Sequence, residues 1–409
     1  MPLAPSGELT SIGVGRETTF GSPVVPTTFL ISDDLSYLGM NEFLERPGSR
    51  KRIGRTKPST GMFTGKATGN FEFDPDNTGA LLALTMGAEV VTTNLANPAA
   101  AAVTSTLSAA TAIGFVDFTP AAMTNITVGQ SLTIDTSTQA ETVVVKAITP
   151  TTFRAYGTKT HASGVAVVDA AVVLAYDHTF TLGSPRGFFT SQINRITDAV
   201  AFTGGKVSTL SVAVGEKAII TGKLGVEYQN EVYVSTPATP AYSTLFPFKF
   251  MTVGNSVLLD GAVSDADIID WNFVVNTGLI TDFPVFGNGR LRGQLPEAMT
   301  KVSGGMTLAF ETATLYQKFW GKRTATGPQS LVLPVSLAFV LQSDDYVNTA
   351  VPYALQVIMA TCMLSADDVA IKSADYLKQA VKFECYESIN GAADDVKLIL
   401  TNAASAVSI

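Results

Sequence analysis

A strand running into a short helix is written twice in this chain of 409 residues, and no other feature restricts its fold as much. Lys66-Ala-Thr-Gly-Asn-Phe-Glu-Phe73, followed by Asn77-Thr-Gly-Ala-Leu-Leu-Ala-Leu-Thr-Met-Gly87, parallels Lys301-Val-Ser-Gly-Gly-Met-Thr-Leu308, followed by Thr312-Ala-Thr-Leu-Tyr-Gln-Lys-Phe-Trp-Gly321. Phe71 and Phe73 match Met306 and Leu308, apolar at every second position as a half-buried strand requires. Leu81 and Leu84 match Tyr316 and Phe319, an i, i+3 pair on one helical face, and a glycine closes each helix. A second correspondence follows in the same order, Leu210 and Val212 with Val369 and Ile371, then Leu224 and Val226 with Phe383 and Cys385. Repetition of this kind predicts two copies of one mostly β unit, each carrying a short helix.

The first correspondence has an offset of 235 residues and the second 159, so 76 more residues separate the matched elements in the first copy. A Thr/Ala/Pro-rich stretch over residues 92–110 opens that extra segment, and short apolar runs at 131–135, 141–146 and 151–156 read as strands separated by turn residues such as Gly129 and Pro150. The expected fold class is mainly β with minor α. It comprises a first sandwich or barrel domain from residues 1–91 with 176–235, an inserted small β domain at 92–175, and a second domain at 236–409.

Composition removes several classes of function. Charged residues are 15% of the chain, well under the roughly 25% of an average globular protein, which suits extensive subunit contact. A net charge of −8 gives nucleic acid no general attraction. Cys362 and Cys385 are the only cysteines and read as buried thiols; His161 and His178 are the only histidines and read as surface or turn residues, too few for a metal site of three histidines. Gly13 and Gly15 lack the third glycine of a dinucleotide fingerprint, and Asp265, Asp267 and Asp270 lack the glycine and closing glutamate of an EF-hand. No GxSxG or HExxH motif occurs, so neither an enzyme nor a cofactor is expected. The first residues have neither a basic nor an apolar leader region, and no apolar run reaches about 18 residues, so membrane insertion is not expected.

The stretch Gly13-Val-Gly-Arg-Glu-Thr-Thr-Phe-Gly-Ser-Pro23, followed by Pro26-Thr-Thr-Phe-Leu30, resembles the opening of a tail tube family of siphovirus-like phages. The arginine-rich arm from Arg46 to Lys57, the strand and helix from Gly69 to Gly87, Phe202-Thr-Gly-Gly-Lys-Val-Ser-Thr-Leu210, Leu258-Leu-Asp-Gly261 and the second strand and helix resemble the family in the same order. The resemblance implies a structural virion protein made in the host bacterial cytoplasm. Six tube domains, here from three duplicated chains, would close a pseudo-hexameric ring, and rings would stack into a hollow tube. It also implies a tape measure protein and tail terminator or distal tail proteins as partners, with DNA passing through without specific binding. Alternatives are a tail terminator or decoration protein, a carbohydrate-binding host adhesin, and a porin. Only Trp271 and Trp320 are present to serve an adhesin.

Two sets of residues are candidates for the assembly role. Thr209, Ser211 and Ala213, with Lys223, Gly225 and Glu227, alternate with apolar neighbours and read either as a solvated outer face or as a lumen lining, with Glu227 and Glu384 as wall carboxylates that repel phosphate. Arg46, Arg50, Lys51, Arg52, Arg55 and Lys57 place six of the 27 basic residues within twelve positions, with Arg290 and Arg292 as a sparser counterpart in the second copy. The cluster reads as a solvated loop, as an arm meeting acidic residues of a neighbouring ring, as the family suggests, or as a nucleic-acid patch, though it has no aromatics for base stacking.

Overall fold

Apolar residues at every second position produce long strands buried on one face. In Val335–Tyr346, for example, Val335, Leu337, Phe339 and Leu341 enter the core while the residues between them stay partly exposed. A computed structural model describes residues 10–44, 59–94, 103–169, 175–195, 198–263, 267–309, 314–322, 325–348, 351–370, 377–386 and 396–407. Strands dominate it, as expected. The N-terminal half contains β1 (Ser11–Arg16), β2 (Thr28–Leu30), β3 (Ser32–Leu44), β4 (Ser59–Glu72), α1 (Thr78–Met86) and β5 (Gly87–Asn94). The segment that follows holds β6 (Thr104–Thr106), β7 (Gly114–Phe118), β8 (Ser131–Ile134), β9 (Glu141–Val144), β10 (Ala147–Ile148), β11 (Phe153–Gly157) and β12 (Ala166–Asp169). The chain returns through β13 (Ala175–Leu182), β14 (Phe189–Asn194), β15 (Ala199–Val214), β16 (Thr221–Tyr228) and β17 (Asn230–Val234). The C-terminal half contains β18 (Ser256–Leu259), β19 (Ala262–Val263), β20 (Ile268–Asn276), β21 (Lys301–Ala309), α2 (Thr314–Phe319), β22 (Val335–Tyr346), β23 (Pro352–Ala370), β24 (Lys378–Cys385) and β25 (Val396–Asn402).

Strand register relates the two halves. In the β4·β16 pair Gly69 lies opposite Leu224, and in β21·β24 Gly304 lies opposite Phe383, positions separated by the same 235 and 159 residues. Hairpin β3·β4 sets Leu35 against Gly69, as β20·β21 sets Phe273 against Gly304. One expected match shifts. Leu210 pairs with Leu224, whereas Phe383 pairs with Leu364, so the counterpart of Leu210 is Leu364 and not Val369. Apolar alternation is compatible with several registers, and only the partner strand selects one.

The long strands β15 and β23 each serve two layers. The first part of β15 pairs with β14 and β17, and its last part pairs with β16 from Lys206 on and, beyond a bulge near Ser208, with β20. The first part of β23 pairs with β22 and β25, and its last part with β24. Such strands turn the corner of a sandwich. Phe71, Leu210 and Leu224 from one half join Phe273, Met306 and Phe383 from the other in a single core. Helix α1 lies against β5, β13 and β15, and Leu82 and Met86 are as buried as Leu81 and Leu84, so the i, i+3 pair understates its apolar surface. At its end Gly87 adopts φ 93°, the left-handed region that favours glycine.

The inserted segment has its own core, built from Val103, Phe118, Leu132, Phe153 and Val167 among others, between a β10-β11-β7 sheet and a β6-β12-β8-β9 sheet. β8, β9 and β11 fall at the three predicted strands. β5 and β13, which flank it, pair with each other and join the main sheet, so the expected limits at 92 and 175 fall inside β5 and at the first residue of β13. The histidines depart from expectation, since both side chains are fully buried and each meets a carboxylate: His161 Nε2 is 2.6 Å from Glu141 and His178 Nδ1 2.8 Å from Glu89. A carboxylate partner is what lets an imidazole leave water.

The glycine-rich opening also has a physical cause. A Cβ on Gly13 would lie 2.5 Å from the Pro26 ring, and one on Gly15 2.9 Å from the Val25 carbonyl, so only glycine lets the returning chain approach β1. Glu17, buried, accepts hydrogen bonds from the amides of Gly21 and Gly204 and the hydroxyl of Thr190 at 2.8, 2.9 and 2.7 Å. Glu17→Ala leaves these donors without an acceptor and is expected to cost about 3 kcal/mol, read as a lower urea midpoint at unchanged slope.

Candidate assembly site

Eight strands form one continuous layer in the order β3, β4, β16, β15, β20, β21, β24, β23, all neighbours antiparallel. Its inner face supplies core residues such as Ala67, Leu224, Leu210, Phe273, Met306 and Phe383. A single row crosses its outer face through Asp34, Asn70, Lys223, Ser211, Val274, Ser303, Glu384 and Met363, each directly opposite the next. Flanking rows carry Ser36, Thr68, Gly225, Thr209, Asn276 and Lys301 on one side, and Glu72, Thr221, Ala213, Asn272, Gly305 and Lys382 on the other. The face is therefore small, polar and balanced in charge, with Asp34, Glu72 and Glu384 against Lys223, Lys301 and Lys382.

Both ends of this layer are open among the described residues. β3 pairs only with β4, and beyond Cys362 β23 pairs only with β24. In the middle of the layer, where the halves meet, β15 pairs with β20 and sets Thr209 opposite Asn276. Large apolar side chains crowd the open β3 end, with Leu38 at 53% and Phe43 at 59% exposure. An exposed apolar edge strand of this length templates further strand pairing.

A strap from the second half, residues 277–300, folds over the first half beside this joint. Arg292 is completely buried; one η nitrogen donates to Glu227 at 3.1 Å, and the other donates to the Gly65 carbonyl at 3.0 Å and to that of Tyr228. Farther along, Glu297 receives Lys206 Nζ at 2.8 Å and the Arg186 amide and guanidinium at 3.0 and 3.2 Å. Burial pushes the Glu297 carboxyl up, but the bonds from Lys206 and Arg186 and their two charges outweigh it and hold it below the usual carboxylate range. Neighbouring Arg290 stays exposed, donating to Asn41 and to the Gly61 carbonyl of the β3·β4 hairpin.

These positions revise two of the candidate roles. Arg292 is not an exposed arm residue, because its charge is spent inside the chain. Glu227 is not an open wall carboxylate, since it lies between Arg292 and Lys66 under the strap. Glu384 does stand on the exposed face. Arg46, Arg50, Lys51, Arg52, Arg55 and Lys57 lie outside the described residues. Sequence reasoning misses Lys206, Arg186 and Glu297; charged residues within otherwise apolar or small-residue runs are the signal that could have found them.

A two-layered β body with matched halves, one polar face of small residues and, among the described residues, two unpaired strand edges has the build of a structural subunit. The profile of the phage tail tube protein family matches residues 7–385, and the chain belongs to that family. It is accordingly a structural component of the virion tail. No curated protein matches it.

Proposed function

We propose that three copies close into a ring of six similar four-stranded units and that the rings stack into the hollow tube that conducts DNA. The carrying observation is the joint inside the chain, β15 against β20. Through the register matches, Thr209 corresponds to Met363 and Asn276 to Leu38, so the open edge of β23 meets the open edge of β3 of the next copy with Met363 opposite Leu38. Each contact then reproduces in trans what the chain already makes in cis, and closure leaves no edge. The number three comes from the family resemblance and the duplication, with the domain limits 1–91 with 176–235, 92–175 and 236–409 as the working division.

The polar face lines the lumen in this reading. Its balanced charge offers phosphates little counterion release, so DNA slides past without binding. The arm from Arg46 to Lys57 contacts the adjacent ring, the inserted domain sits outside, and tape measure and tail terminator or distal tail proteins meet the tube's interior and ends. The subunit is made in the host bacterial cytoplasm and catalyses nothing.

Cysteines at opposed antiparallel positions have Cα atoms about 4.5–5.5 Å apart, within the span of a disulfide. In a Cys362→Ser, Cys385→Ser background, Leu38→Cys with Met363→Cys is expected to oxidise to covalent trimers on a non-reducing gel. Dimers only, or a ladder running on past three, would rule out the closed ring. Microscopy of stacked cylinders, against single rings, separates a tube protein from a terminator.

A further inference from the structure

The tube reading makes no use of the two cysteines, yet the fold sets them face to face. Cys362 lies directly opposite Cys385 in the β23·β24 pair, and the sulfurs are in hydrogen-bond contact at 3.3 Å without a disulfide. Cys362 is also where β23 changes partners, since its other edge faces Val335 of β22, and it is the last residue to do so. Cys385 in turn pairs with Val302 of β21. Cys362 is fully buried, whereas Cys385 is half-buried at the edge of the core.

We propose that Cys362 and Cys385 form a reversible cross-strand disulfide that locks β23 to β24 when the protein meets an oxidant. Opposed antiparallel positions hold Cα atoms about 4.5–5.5 Å apart, inside the Cα range of a disulfide, so the sulfurs can be drawn together to about 2.05 Å without the strands parting. With oxidised glutathione as oxidant, the Cys385 thiolate attacks one of its sulfurs, breaking that S–S bond and releasing one glutathione thiolate. The Cys362 thiolate then attacks the Cys385 sulfur, forming the protein disulfide and expelling the second glutathione thiolate. The two cysteine protons end on the two glutathiones, and two electrons pass from the protein to the oxidant. The virion reading bears only on timing: a subunit folded in a reducing cytoplasm keeps the dithiol, and a tail released outside the cell acquires the bond.

The test uses the full-length chain, reduced, freed of reductant, incubated with oxidised glutathione and then denatured in N-ethylmaleimide. Intact mass is expected to fall by two hydrogens with no maleimide added, whereas the reduced sample takes two. Amide exchange in β24 should slow on oxidation and return to its starting rate with dithiothreitol. Cys385→Ser is expected to lose the two-hydrogen shift. Two maleimides on the oxidised wild type, or a bond that appears between chains on a gel, would overturn the proposal. Because the readout needs no rings, microscopy of the same samples reports separately on the tube reading.

Discussion

Glu297→Ala is expected to lower the unfolding free energy by about 4 kcal/mol, at the upper end of what one substitution does to a folded chain. The carboxylate is the shared partner of Lys206 and Arg186, whose side chains are 3% and 4% exposed. Removing it leaves two buried cations facing each other without an anion, which costs far more than the intact cluster contributes. Chemical denaturation at neutral pH gives the measurement, and a loss under about 1 kcal/mol would show that the cluster is solvated in solution. The effect carries a pH signature. Because the folded-state carboxyl lies below its ordinary value of 4.5, its contribution is complete above that value and disappears as pH falls through the folded value. The gap between wild type and variant should therefore hold at pH 7 and narrow only on acidification below 4.5.

Arg292→Ala should cost about 3 kcal/mol by a related route, since it leaves buried Glu227 with only the half-exposed Lys66 and leaves the carbonyls of Gly65 and Tyr228 short of a donor. The comparison that isolates the pair is the double change Arg292→Met with Glu227→Met, which removes both charges and keeps volume. It is expected to recover more than half of the loss, because an apolar replacement of a buried ion pair is often neutral. If the double variant is as unstable as the single one, the backbone carbonyls, and not the ion pair, carry the strap.

Much of the fold can be read from residue order because the strands state their own burial. Phe71 with Phe73, Met306 with Leu308, and Leu224 with Val226 announce half-buried strands, and the two copies check each other. Register is harder to read. Alternation matches Leu210 with Val369 instead of Leu364 because an alternating run looks alike at neighbouring positions, and a bulge near Ser365 displaces the partner without leaving a mark in the sequence. The site is less legible for a different reason. Arg292 and Glu227 look like surface charges until the strap brings them together across 65 residues. His161 and His178 are likewise buried and gain carboxylate partners, Glu141 and Glu89, from other strands. Charge pairing of this sort depends on which loop covers which face, and that is a property of the tertiary arrangement alone.

The ribbon β5·β13 that carries the inserted domain is laid lengthwise against β25, with Tyr176 to Thr181 matched to Asn402 to Lys397. Tension on the appendage runs along the strand axis, so six residue pairs on that seam must slide together before any one parts. Beyond it β25 is anchored on β23, which spreads the load into the longest strand of the body. A tug on the inserted domain is thus resisted as shear, the stiff direction of a sheet, and its mount does not peel open one pair at a time.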